Sequence, residues 1–391
     1  MTGRSSLAPR EDFPALKRYC YLNAASISIV PAPVHRAKQA FETQIAAAGT
    51  VTLDEEAETR ALDVPRQVAA EFLGTDADSI ALVESATVAL SQLAWALKPG
   101  KGSNVVSIDL DFPSTTYPWL RVAQETGAEV RLVKALANPA ALGFEDIAAA
   151  VDDKTSVLCV SLVQYATGHR FDMKALTDLA HGHGAVCVID ATQAAGVVPL
   201  DVKAAGVDAL VTSGYKWLCG PFGAALLYVR PGLYEKLSPP VVGWRSTEDI
   251  FNFDATTLTL ARRARRFESG TPDYGAAFGL GETLKYFLKL GVDKCLAHNQ
   301  HLARILREGL EKLGASIITP ADDASRAGIV VARFPGRDGG AVAAELNRRG
   351  VVVSPRLGAV RFAPHVYNSE EDIDKALSAA RAALAGPYRP S

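Results

Sequence analysis

No run of eighteen apolar residues occurs in this chain, so no bilayer-crossing helix is expected. Residues 1–10 are polar and contain no apolar core of a secretory signal. A charge excess of either sign is also missing. The formal net charge is −2, which gives no general attraction to nucleic acid or to an acidic membrane. Cysteine is sparse and scattered. Cys20, Cys159, Cys187, Cys219 and Cys295 include no Cys-x-x-Cys pair, which speaks against a zinc ribbon or a disulfide framework. Three of them lie in apolar runs and read as reduced core residues. Repeats and low-complexity tracts are absent. The expectation is a soluble, cytoplasmic protein with no metal site and no membrane or nucleic-acid partner.

What is present is enough apolar material for a sizeable core: 48% of 391 residues are hydrophobic and 21% charged. That length suits one large domain and a smaller one. Strand-like and helix-like patterns alternate along the first two thirds. Strands are expected at 19–22, 80–83, 104–108, 129–133, 156–163, 185–189, 207–211 and 224–229. Helices are expected at 33–48, 53–73, from Ser85 as N-cap to Leu97, 144–151 and 172–183. Such alternation predicts an α/β fold, a three-layer large domain with a mostly parallel sheet over 19–280. From Gly281 the texture changes. A long helix over 282–313, bent at Gly291, precedes strands at 317–318, 328–334, 351–354 and 359–362. A helix at 341–349 and a capping box at Ser369 and Asp372 complete a smaller α+β domain over 281–391. The arm 1–18 is expected to pack with it, and 387–391 to form a frayed tail.

Ligands of such sheets sit outside the carboxyl ends of the strands. Ser85–Thr87, Phe112, Thr167, Asp190 and Lys216 all follow such ends. Lys216 is flanked by aromatics and apolar strands in Ser213-Gly-Tyr-Lys-Trp-Leu-Cys-Gly-Pro-Phe-Gly223. Desolvation there lowers the pKa of an amine and makes it a nucleophile. A carboxylate at the end of one apolar strand and a lysine at the end of the next suit pyridoxal 5′-phosphate (PLP). The lysine forms an imine and the aspartate keeps the pyridine nitrogen protonated.

These residues, together with Asp190-Ala-Thr-Gln193, Arg266-Phe-Glu-Ser-Gly-Thr-Pro272, Phe112-Pro-Ser-Thr-Thr-Tyr117 and Gln164–Asp172, carry a resemblance. The chain resembles the class V aminotransferases among the fold-type-I PLP enzymes, a group that includes cysteine desulfurases, kynureninases and isopenicillin N epimerase-like proteins. The resemblance implies Lys216 as the imine-forming lysine, Asp190 at the pyridinium and Gln193 at the ring's phenolic oxygen. It implies Phe112 on the ring face and Ala86, Thr87, Ser213 and Tyr215 around the phosphate. Thr271 would reach the phosphate site of a second subunit, which implies a homodimer with a shared active site. Arg361 would bind the substrate's α-carboxylate, with Tyr165, Arg356 and Asn23 on the substrate side. The pair Arg356 and Arg361 also suggests a second acidic group on the substrate.

One departure shapes the functional expectation. Desulfurases of this family carry a nucleophilic cysteine on the loop before that arginine, and residues 333–360 contain none. The expectation is therefore an enzyme acting on an amino acid or amine that is not a Cys-loop desulfurase. Aminotransferase-type chemistry comes first. Lyase chemistry (C–C or C–S cleavage) and epimerisation are alternatives, and a PLP-binding module without turnover belongs to a different class. Each signal also has a plainer reading. Lys216 alone could be an ordinary ion-paired lysine, Asp190 a helix cap and Phe112 a core residue. The run Arg262–Arg266 reads as a solvated or interface rim, His181 and His183 as water-facing, and His169, Arg170 and His365 as loop residues near the substrate entrance or structural.

Overall fold

The computed structural model describes residues 5–385, so the tail expected at 387–391 and the first residues of the arm lie outside the described residues. β1 (Cys20–Tyr21) is short. β2 (Ile80–Val83), β3 (Asn104–Ile108), β4 (Glu129–Val133), β5 (Thr155–Ser161), β6 (Val186–Asp190), β7 (Ala209–Ser213) and β8 (Ala225–Val229) build a seven-stranded sheet in the order β2-β8-β7-β6-β5-β3-β4. β8 is antiparallel to both neighbours and every other pairing is parallel. The mostly parallel sheet expected from the sequence is therefore present.

Side chains alternate between two buried faces, as the strand period of two requires. Ile80, Leu82, Val106, Leu158, Ile189, Leu210 and Leu226 enter one core. Ala81, Val83, Val105, Val157, Val188, Val211 and Leu227 enter the other. With both faces covered, these strands read as continuous apolar runs rather than as alternating ones. The chain leaves β3 for the edge strand β4, then crosses back over β3 to β5 and continues the other way through β6 and β7. The winding direction thus reverses between β3 and β5, and the crevice of such a sheet opens at that reversal.

The C-terminal part follows another plan. β9 (Ser316–Ile317), β10 (Val330–Arg333), β11 (Val351–Val352), β12 (Ser354–Arg356) and β13 (Ala359–Phe362) split between two sheets. β12-β13-β10-β9 is antiparallel and encloses a third core with Leu302, Leu306, Leu346 and Ile373. The single strand expected over 351–354 is divided at Val353. β11 pairs with β1, Cys20 opposite Val351, while β12 pairs with β13. Two sheets compete for one stretch, which no local pattern reveals. The long helix is likewise two, Tyr274–Leu290 and Val292–Lys312, separated by Gly291 at φ 81°. It starts earlier than expected because Asp273 accepts the Ala276 N–H at 2.8 Å and caps it.

Close backbone approach locks the turn after β6 to the segment after β7. Gly196 lies at φ +93°, and a Cβ there would stand 2.5 Å from the Trp217 carbonyl oxygen. Positive φ and backbone contact together leave an alanine no place. Gly196→Ala is expected to lower unfolding free energy by roughly 2 kcal/mol or more and to displace Lys216 with its neighbour. Denaturant midpoints equal to those of the parent protein would show that this contact yields freely.

Candidate active site

The loops after β2, β3, β5, β6 and β7 meet in one cleft at the reversal point. Its lining includes Ala86, Thr87, Phe112, Tyr165, Asp190, Gln193, Ser213, Tyr215 and Lys216. Phe112 follows β3 and Tyr165 follows β5, so they face each other across the reversal, edge to face with ring centres 5.6 Å apart.

Lys216 is 8% exposed. Its Nζ lies 5.2 Å from the centre of the Phe112 ring and 5.7 Å from that of Tyr215. Burial pulls its pKa down to about 8; Asp190 opposes that shift, while the cations Arg361 and Arg356 add to it. Asp190, also buried, accepts from the Thr192 N–H at 2.9 Å and from the Thr115 hydroxyl at 3.1 Å. Each carboxylate oxygen keeps a lone pair for a further donor. Gln193 is fixed at both ends: Oε1 accepts from Trp217 Nε1 at 2.6 Å, and Nε2 donates to the Ala25 carbonyl at 3.0 Å, leaving one N–H.

The helix Ala86–Leu97 begins at the cleft. Ser85 caps it by accepting from the Val88 N–H. The Ala86 N–H points to Ser213 Oγ at 3.3 Å, and Thr87 Oγ1 shares a 2.7 Å hydrogen bond with Ser114. A helix start whose first amides meet only side-chain hydroxyls, which an anion can replace, is suited to an anionic group. Tyr215 stacks on Phe222 beside it.

Arg361 is 1% exposed. It donates to the Tyr165 carbonyl at 2.9 Å and to the hydroxyls of Ser26 at 2.6 Å and Ser354 at 3.3 Å, and its Nε is buried without a partner. All these partners are neutral. Burial and the neighbouring Arg356 lower its pKa to about 9, so it remains a cation at neutral pH. Asn23 accepts from Ser354 Oγ at 3.1 Å and so joins the same group. Thr271 is exposed and does not line the cleft of its own chain.

Several residues escaped sequence reading. Ser114, Thr115, Ser161 and Thr192 line or support the cleft. So does Asp111, whose carboxylate accepts from Gln164 Nε2 at 2.5 Å and whose pKa burial raises to about 7. Their place just past strand ends was the available signal. Conversely, His365 is no entrance residue: it is fully buried, lies 2.7 Å from the Trp217 carbonyl oxygen and 3.1 Å from Asn299, and burial lowers its pKa to about 3. His169 and Arg170 line a separate cleft with Phe144 and Phe171. Arg266 is neither solvated nor a rim residue; it is buried and donates to the carbonyls of Ala261 and Leu237. All five cysteines are buried and unpaired. No helix among the described residues is long and apolar enough to cross a membrane.

The family model described as Aminotransferase class-V matches residues 20–376. An uncharacterized aminotransferase, YcbU, of Bacillus subtilis is 30% identical over 94% of this chain and 95% of its own length. A probable cysteine desulfurase of Pyrococcus abyssi is 28% identical over 93% of this chain and 94% of its own. The solved cysteine desulfurase of Thermococcus onnurineus superposes with a TM-score of 0.86 at 26% identity, covering 95% of this chain and 96% of that one. The fold is therefore that of the fold-type-I enzymes. These relatives overturn the expectation that a Cys-loop desulfurase is ruled out, since desulfurases match this chain over nearly all of its length. A thiol missing from one loop bears on one step of a reaction, whereas the shared frame carries the whole site.

Proposed function

This chain belongs to the aminotransferase class-V family and its cofactor is pyridoxal phosphate; from that premise we propose that it cleaves the Cβ–sulfur bond of a cysteine-type α-amino acid. The observation that carries the proposal is a cleft holding a buried amine of lowered pKa and, bonded to the carbonyl of Tyr165 in its wall and close enough to act on that amine, a buried guanidinium that has no carboxylate partner among the described residues. The guanidinium, whose partners are all neutral, lacks the anion that an α-carboxylate supplies. The names of the desulfurase relatives favour sulfur as the group that departs.

The residues present fit the cofactor. Lys216 Nζ would anchor it covalently. Asp190, with lone pairs to spare, would hold a proton at the ring nitrogen. The remaining Gln193 N–H would meet the phenolic oxygen and Phe112 would cover a ring face. The amides of Ala86 and Thr87, with Ser213 and Tyr215, would take the phosphate at a helix start. Thr271, exposed on its own chain, would serve the phosphate of a second subunit. Pyridoxal phosphate supplies an electron sink joined to the substrate nitrogen, which weakens the bonds at Cα. Arg361 would fix the α-carboxylate with Nε and an Nη, the paired donors a carboxylate fits. Asn23 and Tyr165 flank that anion. Lys216 Nζ would also be the group that takes the proton from Cα, and an amine with a pKa near 8 suits that task at neutral pH.

Incubation with cysteine and a thiol reductant, with and without an added keto acid, tests the reading. Sulfide is expected without the acceptor. Amino transfer to the keto acid, with the sulfur left in place, would overturn it. A pH prediction follows from Lys216. Only the neutral amine attacks, so the rate at which the apoprotein captures pyridoxal phosphate should rise about tenfold per pH unit and level off near 8. A rate still climbing towards pH 10 would mean that burial does not act on this lysine.

A further inference from the structure

Two cations, not one, stand on the substrate side. β12 and β13 are antiparallel, with Ser354 opposite Arg361 and Arg356 opposite Ala359. Directly opposed residues share a face, and so do residues two apart on one strand. Arg356 and Arg361 therefore project from the same face as diagonal neighbours, a spacing of about 7–8 Å between backbones that long side chains bridge. Tyr165 lies between them: Arg361 donates to its carbonyl, and the Arg356 guanidinium lies 5.9 Å from its ring centre. Arg356 Nη1 donates only to the carbonyl of the adjacent Pro355, and its Nε, like that of Arg361, is buried without a partner. Among the described residues, no acidic side chain forms an ion pair with either. Burial is the main cause of the lowered pKa values of Arg361 and Lys216, and Arg356 adds to both shifts.

We propose that Arg356 is a specificity residue that binds a second acidic group on the substrate, so that the preferred substrates are sulfur-linked α-amino acids with an anionic terminus beyond sulfur, of the S-sulfocysteine class. The proposal rests on the reading of the site given above. Arg361 takes the α-carboxylate. Arg356, set diagonally along the hairpin with its guanidinium 5.9 Å from the centre of the Tyr165 ring, meets the far anion with the planar donor pair that Nε and Nη2 present. A dianion neutralises both guanidinium groups, and a monoanion leaves the half-buried Arg356 without a counter-charge beside Arg361.

The test compares Arg356→Gln, which keeps length and polarity without charge, with the parent holoenzyme on cysteine and on S-sulfocysteine. kcat/KM for S-sulfocysteine should fall about 10- to 100-fold more than for cysteine, the size of one lost charge-assisted contact, chiefly through KM. Arg356→Lys should restore part of the difference. Calorimetry of the holoenzyme with succinate and with propionate gives an arm that needs no turnover: Arg356→Gln should weaken succinate and leave the difference between the two anions small. Equal losses for cysteine and S-sulfocysteine, or for succinate and propionate, would show that both arginines grip a single carboxylate or that Arg356 merely packs on Tyr165, and either overturns the proposal. The succinate result stands even if neither amino acid releases sulfur, an outcome that removes the C–S cleavage reading alone.

Discussion

Lys216→Ala is expected to abolish turnover, by about 10⁴-fold or more, and to leave the cofactor held without a covalent bond. The magnitude combines loss of the covalent anchor with loss of a base beside Cα, which alone is worth about 10²–10⁴-fold. The phosphate site proposed at the start of the helix Ala86–Leu97 does not include Lys216 Nζ, so cofactor binding should weaken rather than vanish. Borohydride reduction of the parent protein should fix the cofactor to the peptide containing Lys216, and reduction of the variant should fix none. Label on another lysine would end the assignment. The fold should survive. In the apoprotein the folded-state pKa of Lys216 is about 8, below the ordinary 10.5. The unfolded chain therefore binds more protons between those values. The resulting cost to stability is fully present below pH 8 and is relieved as pH rises towards 10.5. Removing the amine removes that cost, so the apo variant should compare with the parent better at pH 7 than at pH 10, against a constant penalty for the small cavity. Thermal denaturation at the two pH values reads the sign.

Asp190→Asn is expected to keep the fold and the cofactor while slowing turnover by about 10²-fold or more, the size of a lost electrostatic stabiliser in a buried site. An asparagine fits the same space. Its oxygen can still accept from the Thr192 N–H, and the Thr115 hydroxyl can rotate to accept from the new amide. What disappears is the negative charge. The charge also acts on Lys216, whose pKa Asp190 raises, so the acid limb of cofactor capture should move to lower pH in Asp190→Asn. That second readout separates a charge effect from a shape effect, because a mere distortion of the cleft would slow turnover without moving the limb. Near-parent rates would mean that the anion is not what sets the ring's protonation.

Both predictions concern residues at the ends of β6 and β7, and it is there that the primary sequence spoke most clearly. Apolar runs of four or five residues closed by Asp190 or followed by Lys216 announce buried parallel strands and the polar groups that stop them. The placement of Phe112, Tyr165, Ser213 and the Ala86–Thr87 turn on one cleft follows from the same rule of strand ends. A helix start with a side-chain cap, such as Ser85, was legible too, because capping is chemistry between neighbours.

The sequence alone determined the two faces of the large sheet, the position of the cleft at its strand ends and the residue types gathered there, since all of these rest on local periodicity and on the cost of burying polar groups. Tertiary structure decided the rest. Only the strand order shows that Phe112 and Tyr165 straddle the reversal between β3 and β5. Only the register of β12 against β13 turns Arg356 and Arg361 to one face, and only packing leaves their Nε atoms without partners. The division of 351–354 between two sheets and the burial of His365 under Trp217 depend on contacts with residues more than a hundred positions away. Register and long-range pairing are set by which surfaces happen to meet, and no window of sequence contains both partners.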